Sequence, residues 1–155
     1  LLGIMWGDVM QPGPQVFTLE EVNALLPQLR SLMETQMGRR SEIEKRLEFL
    51  TELLGVAPDS IQMSEEDAPR VRELKHQLVE RVDAYHHGWR EIERLGAVLK
   101  DPRSGLLDFY GRVDGRLVWL CWKYGESAVT HYHSLDEGFG ARKPILDTIR
   151  NRHLN

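Results

Sequence analysis

The sequence predicts an α+β protein: a long antiparallel helical hairpin packed with a small, about three-stranded antiparallel sheet. Three observations carry that prediction. Apolar residues recur at alternating steps of four and three from Val22 to Leu54. A second such stripe runs from Val71 to Ile92. After Gly96 the pattern changes to period two around Asp114-Gly115, the preferred two-residue hairpin turn.

Composition bounds the class. The chain has 155 residues, of which 41% are hydrophobic and 28% charged, the mix of a globular protein rather than a disordered or membrane one. The net charge of -4 argues against nucleic acid and anionic lipid as partners. A single Cys excludes an internal disulfide and any multi-Cys zinc site. No apolar run approaches the roughly 20 residues that span a bilayer. A cytoplasmic protein without a membrane partner is expected.

The opening apolar stretch has no basic flank, so it fails as a signal peptide. Gln11-Pro12-Gly13-Pro14 then excludes helix. Residues 1–16 read as an extension, with Met10 the expected start. Trp6 keeps open a second reading, a packing arm at Ile4, Met5 and Trp6. Residues 17–155 read as one α+β domain.

The first helix begins at Thr18, whose hydroxyl can accept from the Glu21 N–H while Glu21 reaches back, a capping box. Its seam is Val22, Leu26, Leu29, Met33, Gln36, Arg40, Ile43, Leu47, Leu50 and Leu54. Pro27 should kink or restart this helix. Gly55 suits the position after its end. A polar loop follows, and a second helix starts near Asp67 with Pro69 in its first turn. Val71, Leu74, Leu78, Val82, Tyr85, Trp89 and Ile92 form its stripe. Neither helix can cover the other's stripe and a sheet as well, so a homodimer closing a four-helix bundle is expected. Gln36 and Arg40 either set register in that bundle or leave a solvated gap. His76, His86 and His87 are spaced too poorly to share an ion and read as surface residues.

A short edge strand is expected at Ala97 to Lys100. Leu106 to Val113 and Arg116 to Lys123 flank the turn, which sets the register: Val113 faces Arg116, Gly111 Val118, Phe109 Leu120 and Leu107 Trp122. Those residues form the core face. The opposite face carries Asp108, Tyr110, Arg112, Leu117, Trp119, Cys121 and Lys123, with Asp108 opposite Cys121. A third strand is expected at Val129 to Ser134.

Several of these stretches together resemble an uncharacterised bacterial family, domain-of-unknown-function family 2203. They are Phe17 to Glu21 with Asn23 to Pro27, Gly105 to Phe109, Asp114-Gly115-Arg116, Leu120 to Lys123 with Gly125-Glu126, and His133 with Leu135 to Phe139, Arg142 and Pro144. The resemblance covers Phe17 to Ile145. It implies a small bacterial cytosolic protein and brings no activity with it. His133 fits the family pattern, whereas at His131 an aromatic residue would be expected.

Two constellations carry chemistry. Gly125, five residues, His131-Tyr132-His133, three residues and Glu137 match the first half of a cupin-type metal motif, and alternate strand residues point the same way. His131, His133 and Glu137 are therefore the candidate ligands of a divalent metal. The closing Gly of that motif is Pro144 here, and no second half follows; the competing reading has His131 and His133 as polar strand residues, with His133 hydrogen-bonded to Asp136 or Asp108. The other constellation is a small-polar-ligand patch of Asp108, Arg112, Glu126, His133, Asp136 and Arg142. Its competing reading is a buried salt-bridge network that pins the C-terminal segment. Cys121 could act as a nucleophile with His133 as base, though a lone Cys beside Trp122 is more often packed. Gly138 to Lys143 lacks the spacing of a phosphate loop and reads as a turn held by Phe139. Arg150, Arg152 and His153 make too short a basic tail for nucleic acid. The leading functional expectation is a binding or assembly protein that dimerises through its hairpin. The alternative is a metal- or ligand-dependent enzyme, hydrolase-like, using His131, His133 and nearby carboxylates.

Overall fold

The computed structural model describes residues 15–146. The expectations for Ile4 to Trp6, Met10, Arg150, Arg152 and His153 lie outside the described residues. The fold is α+β. Helix α1 spans Leu19–Leu54 and α2 spans Pro69–Arg94; β1 (Val98–Asp101), β2 (Leu106–Val113), β3 (Arg116–Lys123), β4 (His131–His133) and β5 (Lys143–Pro144) follow. The five strands form one antiparallel sheet in the order β1-β2-β3-β4-β5. The chain divides into two compact units, one of residues 29–92 and one whose described parts are residues 15–28 and 93–146.

The helical unit is an antiparallel hairpin held by its own residues. Gln36 Nε2 donates to the Tyr85 carbonyl at 2.8 Å, and Arg46 Nε donates to Gln77 Oε1 at 3.2 Å. Further along, Leu50 packs in one cluster with Val71, Leu74 and Leu78, flanked by Ile43, Leu47 and Ile61. Partner numbers fall on one helix as they rise on the other, which is the antiparallel register. Gln36 is neither a solvated gap nor a polar residue left for a second chain. It is fully buried and spent within the hairpin. Arg40 instead pairs with Glu44 one turn on, at 2.9 Å. Gly55, at φ 76°, closes α1 with its N–H on the Thr51 carbonyl. Lys75, buried, reaches back to Asp67 at 3.1 Å and ties α2 to the loop before it.

In the other unit the capping box at the start of α1 forms as expected: the Thr18 N–H donates to Glu21 Oε1 at 2.9 Å and the Glu21 N–H to Thr18 Oγ1 at 3.1 Å. Phe17 bridges to Gly111 in parallel and sets its ring edge-on to Phe109 at 5.4 Å. Asn23 Oδ1 accepts the Val129 N–H at 2.8 Å, fixing the first turns of α1 to the segment before β4. The β2–β3 register matches the sequence reading at every pair from Leu106↔Lys123 to Val113↔Arg116. Leu107, Phe109, Val118, Leu120 and Trp122 are buried on the core face.

Four expectations need correction. Pro27 does not restart α1; helix runs through it from Leu19 to Leu54, at the loss of the one backbone N–H that proline lacks. The edge strand runs from Val98 to Asp101 rather than Ala97 to Lys100. The third strand shortens to His131–His133. The sheet has five strands rather than about three, because Lys143-Pro144 adds a two-residue strand against Tyr132 and His131.

Candidate functional site

The second face of the sheet is where the polar residues gather, and its centre is as dry as the core. Asp108 is 1% exposed, Cys121 1%, His133 3% and Trp119 5%. Register explains the grouping. Asp108 faces Cys121 across β2–β3, while Cys121 faces His131 and Trp119 faces His133 across β3–β4. The imidazole of His133 then reaches diagonally over β3, so that Nε2 stands 2.9 Å from Asp108 Oδ2.

The other ring nitrogen fixes the chemistry of the pair. His133 Nδ1 lies 3.0 Å from the Ser134 carbonyl, which can only accept. Nδ1 therefore carries a hydrogen. Nε2 and Oδ2 must then share one more proton or one cation between them. Burial raises the Asp108 carboxyl above its ordinary range, and the charge of His133 partly offsets this. Asp108 Oδ1 is buried and has no hydrogen-bond partner. Burial likewise pushes the Cys121 thiol up to about 12, and the charge of Asp108 adds to the shift. Such a thiol is protonated at neutral pH and cannot serve as the nucleophile considered from the sequence.

Beside this cluster lies a charged fork. Arg142 Nη2 contacts Glu126 Oε2 at 2.9 Å, and Nη1 donates to Glu126 Oε1 at 3.1 Å. The same Oε1 accepts the Lys123 N–H at 2.7 Å. Burial pushes Glu126 up, but the Arg142 hydrogen bond, the Lys123 N–H and the Arg142 charge outweigh it and leave the carboxyl below its ordinary range. Phe139, in the short 3₁₀ turn Phe139–Ala141, holds the Arg142 guanidinium over its ring at 4.1 Å.

Of the six patch residues, the structure brings together Asp108 with His133, and Glu126 with Arg142. Arg112 and Asp136 are exposed. Arg112 sits near the β2–β3 turn and lines a separate cleft of about 260 Å³ with Val16, Phe17, Val113 and Leu120. The three metal candidates do not gather. His131 Nδ1 is 2.8 Å from Thr130 Oγ1, and Glu137 lies exposed in the turn after β4. Among the described residues, the donors that do converge are those of Asp108, Cys121 and His133, all within 4.8 Å of one another.

Sequence reasoning had Asp108 opposite Cys121 and left the partner of His133 open between Asp108 and Asp136; the structure gives it to Asp108. The missing datum was the β3–β4 register, which no tight turn sets. It also missed Lys100, whose Nζ sits 4.0 Å from the centre of the Trp119 ring. A bulge between Leu99 and Asp101 accompanies that placement, and only the sheet shows it. Trp119 also packs against Tyr110, with ring centres 4.0 Å apart and planes tilted by 33°.

The model of one family, described as an uncharacterized conserved protein (DUF2203), matches residues 15–145. No curated protein and no solved structure matches the chain.

Proposed function

We propose, from the premise that the chain belongs to the DUF2203 family of uncharacterized conserved proteins, that it is a binding or assembly protein that pairs with a second copy of itself through its helical hairpin. One observation carries the reading. Of the nine large apolar side chains exposed among the described residues, five fall between Phe49 and Met63, at the loop end of the hairpin: Phe49, Leu53, Leu54, Val56 and Met63. Phe49 and Leu53 are four apart and share a helix face. Leu54, Val56 and Met63 edge an open groove of about 590 Å³ together with Lys75.

Single exposed apolar residues are ordinary, whereas a cluster at one end of an elongated unit marks a contact surface. Burying a Leu or Phe contributes about 1.5–3 kcal/mol, so a two-fold contact that doubles the patch accumulates energy quickly. The reading takes the bacterial cytoplasm as the working compartment, where a lone thiol such as Cys121 stays reduced.

Sedimentation equilibrium tests this. The wild type should have twice the 17.9 kDa chain mass. Phe49→Glu and Leu53→Glu should be monomeric and still helical by circular dichroism, since both side chains are exposed and neither belongs to the buried core. A wild type that stays monomeric at the highest soluble concentration overturns the proposal.

A further inference from the structure

The cluster at the centre of the sheet is built from three residue types that share one kind of ligand. Asp108 offers a carboxylate, Cys121 a sulfur and His133 an imidazole nitrogen, and these atoms lie within 4.8 Å of one another. We propose that Asp108, Cys121 and His133 bind a divalent transition metal of the zinc class, in a closed site that bolts β2, β3 and β4 together. This inference is independent of the pairing of two chains.

Four features support it. The donor set is mixed nitrogen, oxygen and sulfur, the set that borderline-soft zinc takes and that calcium and magnesium do not. The orientation of His133 is the one metal-ligating histidines show: Nδ1 donates to the Ser134 carbonyl and frees the lone pair of Nε2 to face the cluster. The third feature is the orphan oxygen. Asp108 Oδ1 is buried without a partner, at a cost that native proteins rarely carry, and a cation held between both carboxylate oxygens would satisfy it. With Oδ1 and Oδ2 both engaged, three residues supply four donor atoms.

The fourth feature is charge. A thiolate, a carboxylate and a neutral imidazole around a dication sum to zero, which a site this dry requires. The metal itself deprotonates the coordinating thiol. Arg142 lies against the Cys121 side chain, where its charge favours the thiolate, and is itself paired with Glu126; Lys100, engaged with Trp119, acts on Asp108 only through its charge. Bonds of about 2.0–2.3 Å put donors from different residues roughly 3.3–3.8 Å apart around a tetrahedral ion. The donors now lie within 4.8 Å of one another, with Nε2 and Oδ2 at 2.9 Å, so binding requires only small adjustments of the three side chains.

The near-complete burial of all three ligands favours a structural site over a catalytic one, since the donors are shut away from solvent. The test uses the full chain without a polyhistidine tag. Elemental analysis of the isolated protein should find one zinc per chain. Protein stripped by chelator in denaturant and refolded with Co²⁺ should show the thiolate-to-cobalt absorption in the near ultraviolet and tetrahedral bands in the visible. Cys121→Ser should abolish the thiolate absorption, and Asp108→Asn should weaken Zn²⁺ binding by about tenfold or more. Should either variant fail to fold, the wild-type cobalt spectrum decides alone. A wild type that folds without metal and gives no thiolate band overturns the proposal, as does a band that survives Cys121→Ser.

Discussion

The His133 imidazole joins β4 to β2 by placing Nε2 2.9 Å from Asp108 Oδ2, across the intervening β3. Both side chains are almost wholly buried, so the contact is either satisfied or expensive. His133→Ala would leave the Asp108 carboxyl alone in a dry site and should cost about 3–5 kcal/mol. Asp108→Asn keeps the shape and a polar partner for Nε2, and should cost only about 1–2 kcal/mol. Urea denaturation of the two variants in chelator measures the difference. Equal and small losses would mean that the pair does not hold the sheet.

Two carboxyls should give stability opposite dependences on pH. The folded Asp108 binds its proton more readily than the unfolded one, because burial raises it. Its contribution is full below the ordinary carboxyl value of about 3.9 and is lost as pH rises through the raised folded value. Glu126 is held below its ordinary range by Arg142 and the Lys123 N–H. Its contribution is present above about 4.3 and is lost as pH falls through the lowered folded value. Melting temperatures from roughly pH 3 to 7 should therefore show a shallower acid-side fall in Glu126→Gln. Asp108→Asn should instead remove part of the loss seen as pH rises. Two variants with curves parallel to the wild type would contradict both assignments.

The β2–β3 turn depends on backbone conformation alone. Asp114 has φ 52° and Gly115 φ 76°, and a Cβ on Gly115 would meet nothing within 4 Å. A Cβ at Gly115 therefore meets open space, and the main cost of Gly115→Val is the strain of a β-branched residue at positive φ. It should cost more than about 1 kcal/mol, against a smaller loss for Gly115→Asn, which tolerates that region. Thermal unfolding of the two variants separates strain from packing.

What the sequence made legible follows from range. The capping box at Thr18 and Glu21, the Gly55 terminus and the Asp114-Gly115 turn are local, and each determines its own geometry within a few residues. The turn then carries its register along eight residue pairs, which is why Asp108 was correctly placed against Cys121. His131–His133 is joined to β3 through an irregular loop, so no period or turn fixed which β3 residue His133 would face. The convergence of His133 on Asp108 was open for that reason, as was the two-residue strand at Lys143-Pro144, too short to leave a pattern. Gln36 was misread for another reason. A polar residue in an apolar seam shows that something must satisfy it, but not that the partner is a carbonyl 49 residues away.

That partner makes Gly88 a sharp probe of the hairpin. Gly to Ala inside a helix normally stabilises by about 1 kcal/mol, because glycine loses more backbone freedom. Gly88 lies within α2, yet a Cβ there would run into Gln36 Oε1 and the Arg39 guanidinium. Gln36 cannot simply swing away. Its Nε2 donates to the Tyr85 carbonyl at 2.8 Å, and its Oε1 accepts from Arg39 Nη1 at 2.8 Å. Displacing it would break a buried polar crosslink, with a penalty of about 1–3 kcal/mol for the groups left unpaired. Gly88→Ala should therefore destabilise the wild type. In a Gln36→Ala background the Gln36 obstruction is gone and Arg39, released from Gln36 Oε1, can swing its flexible end aside, so the same change should stabilise by up to about 1 kcal/mol. The sign reversal is the prediction, and a double-mutant cycle by urea denaturation reads it as a coupling energy. If Gly88→Ala stabilises both backgrounds equally, the side chains do not meet there and the helices do not approach at Gly88 as described.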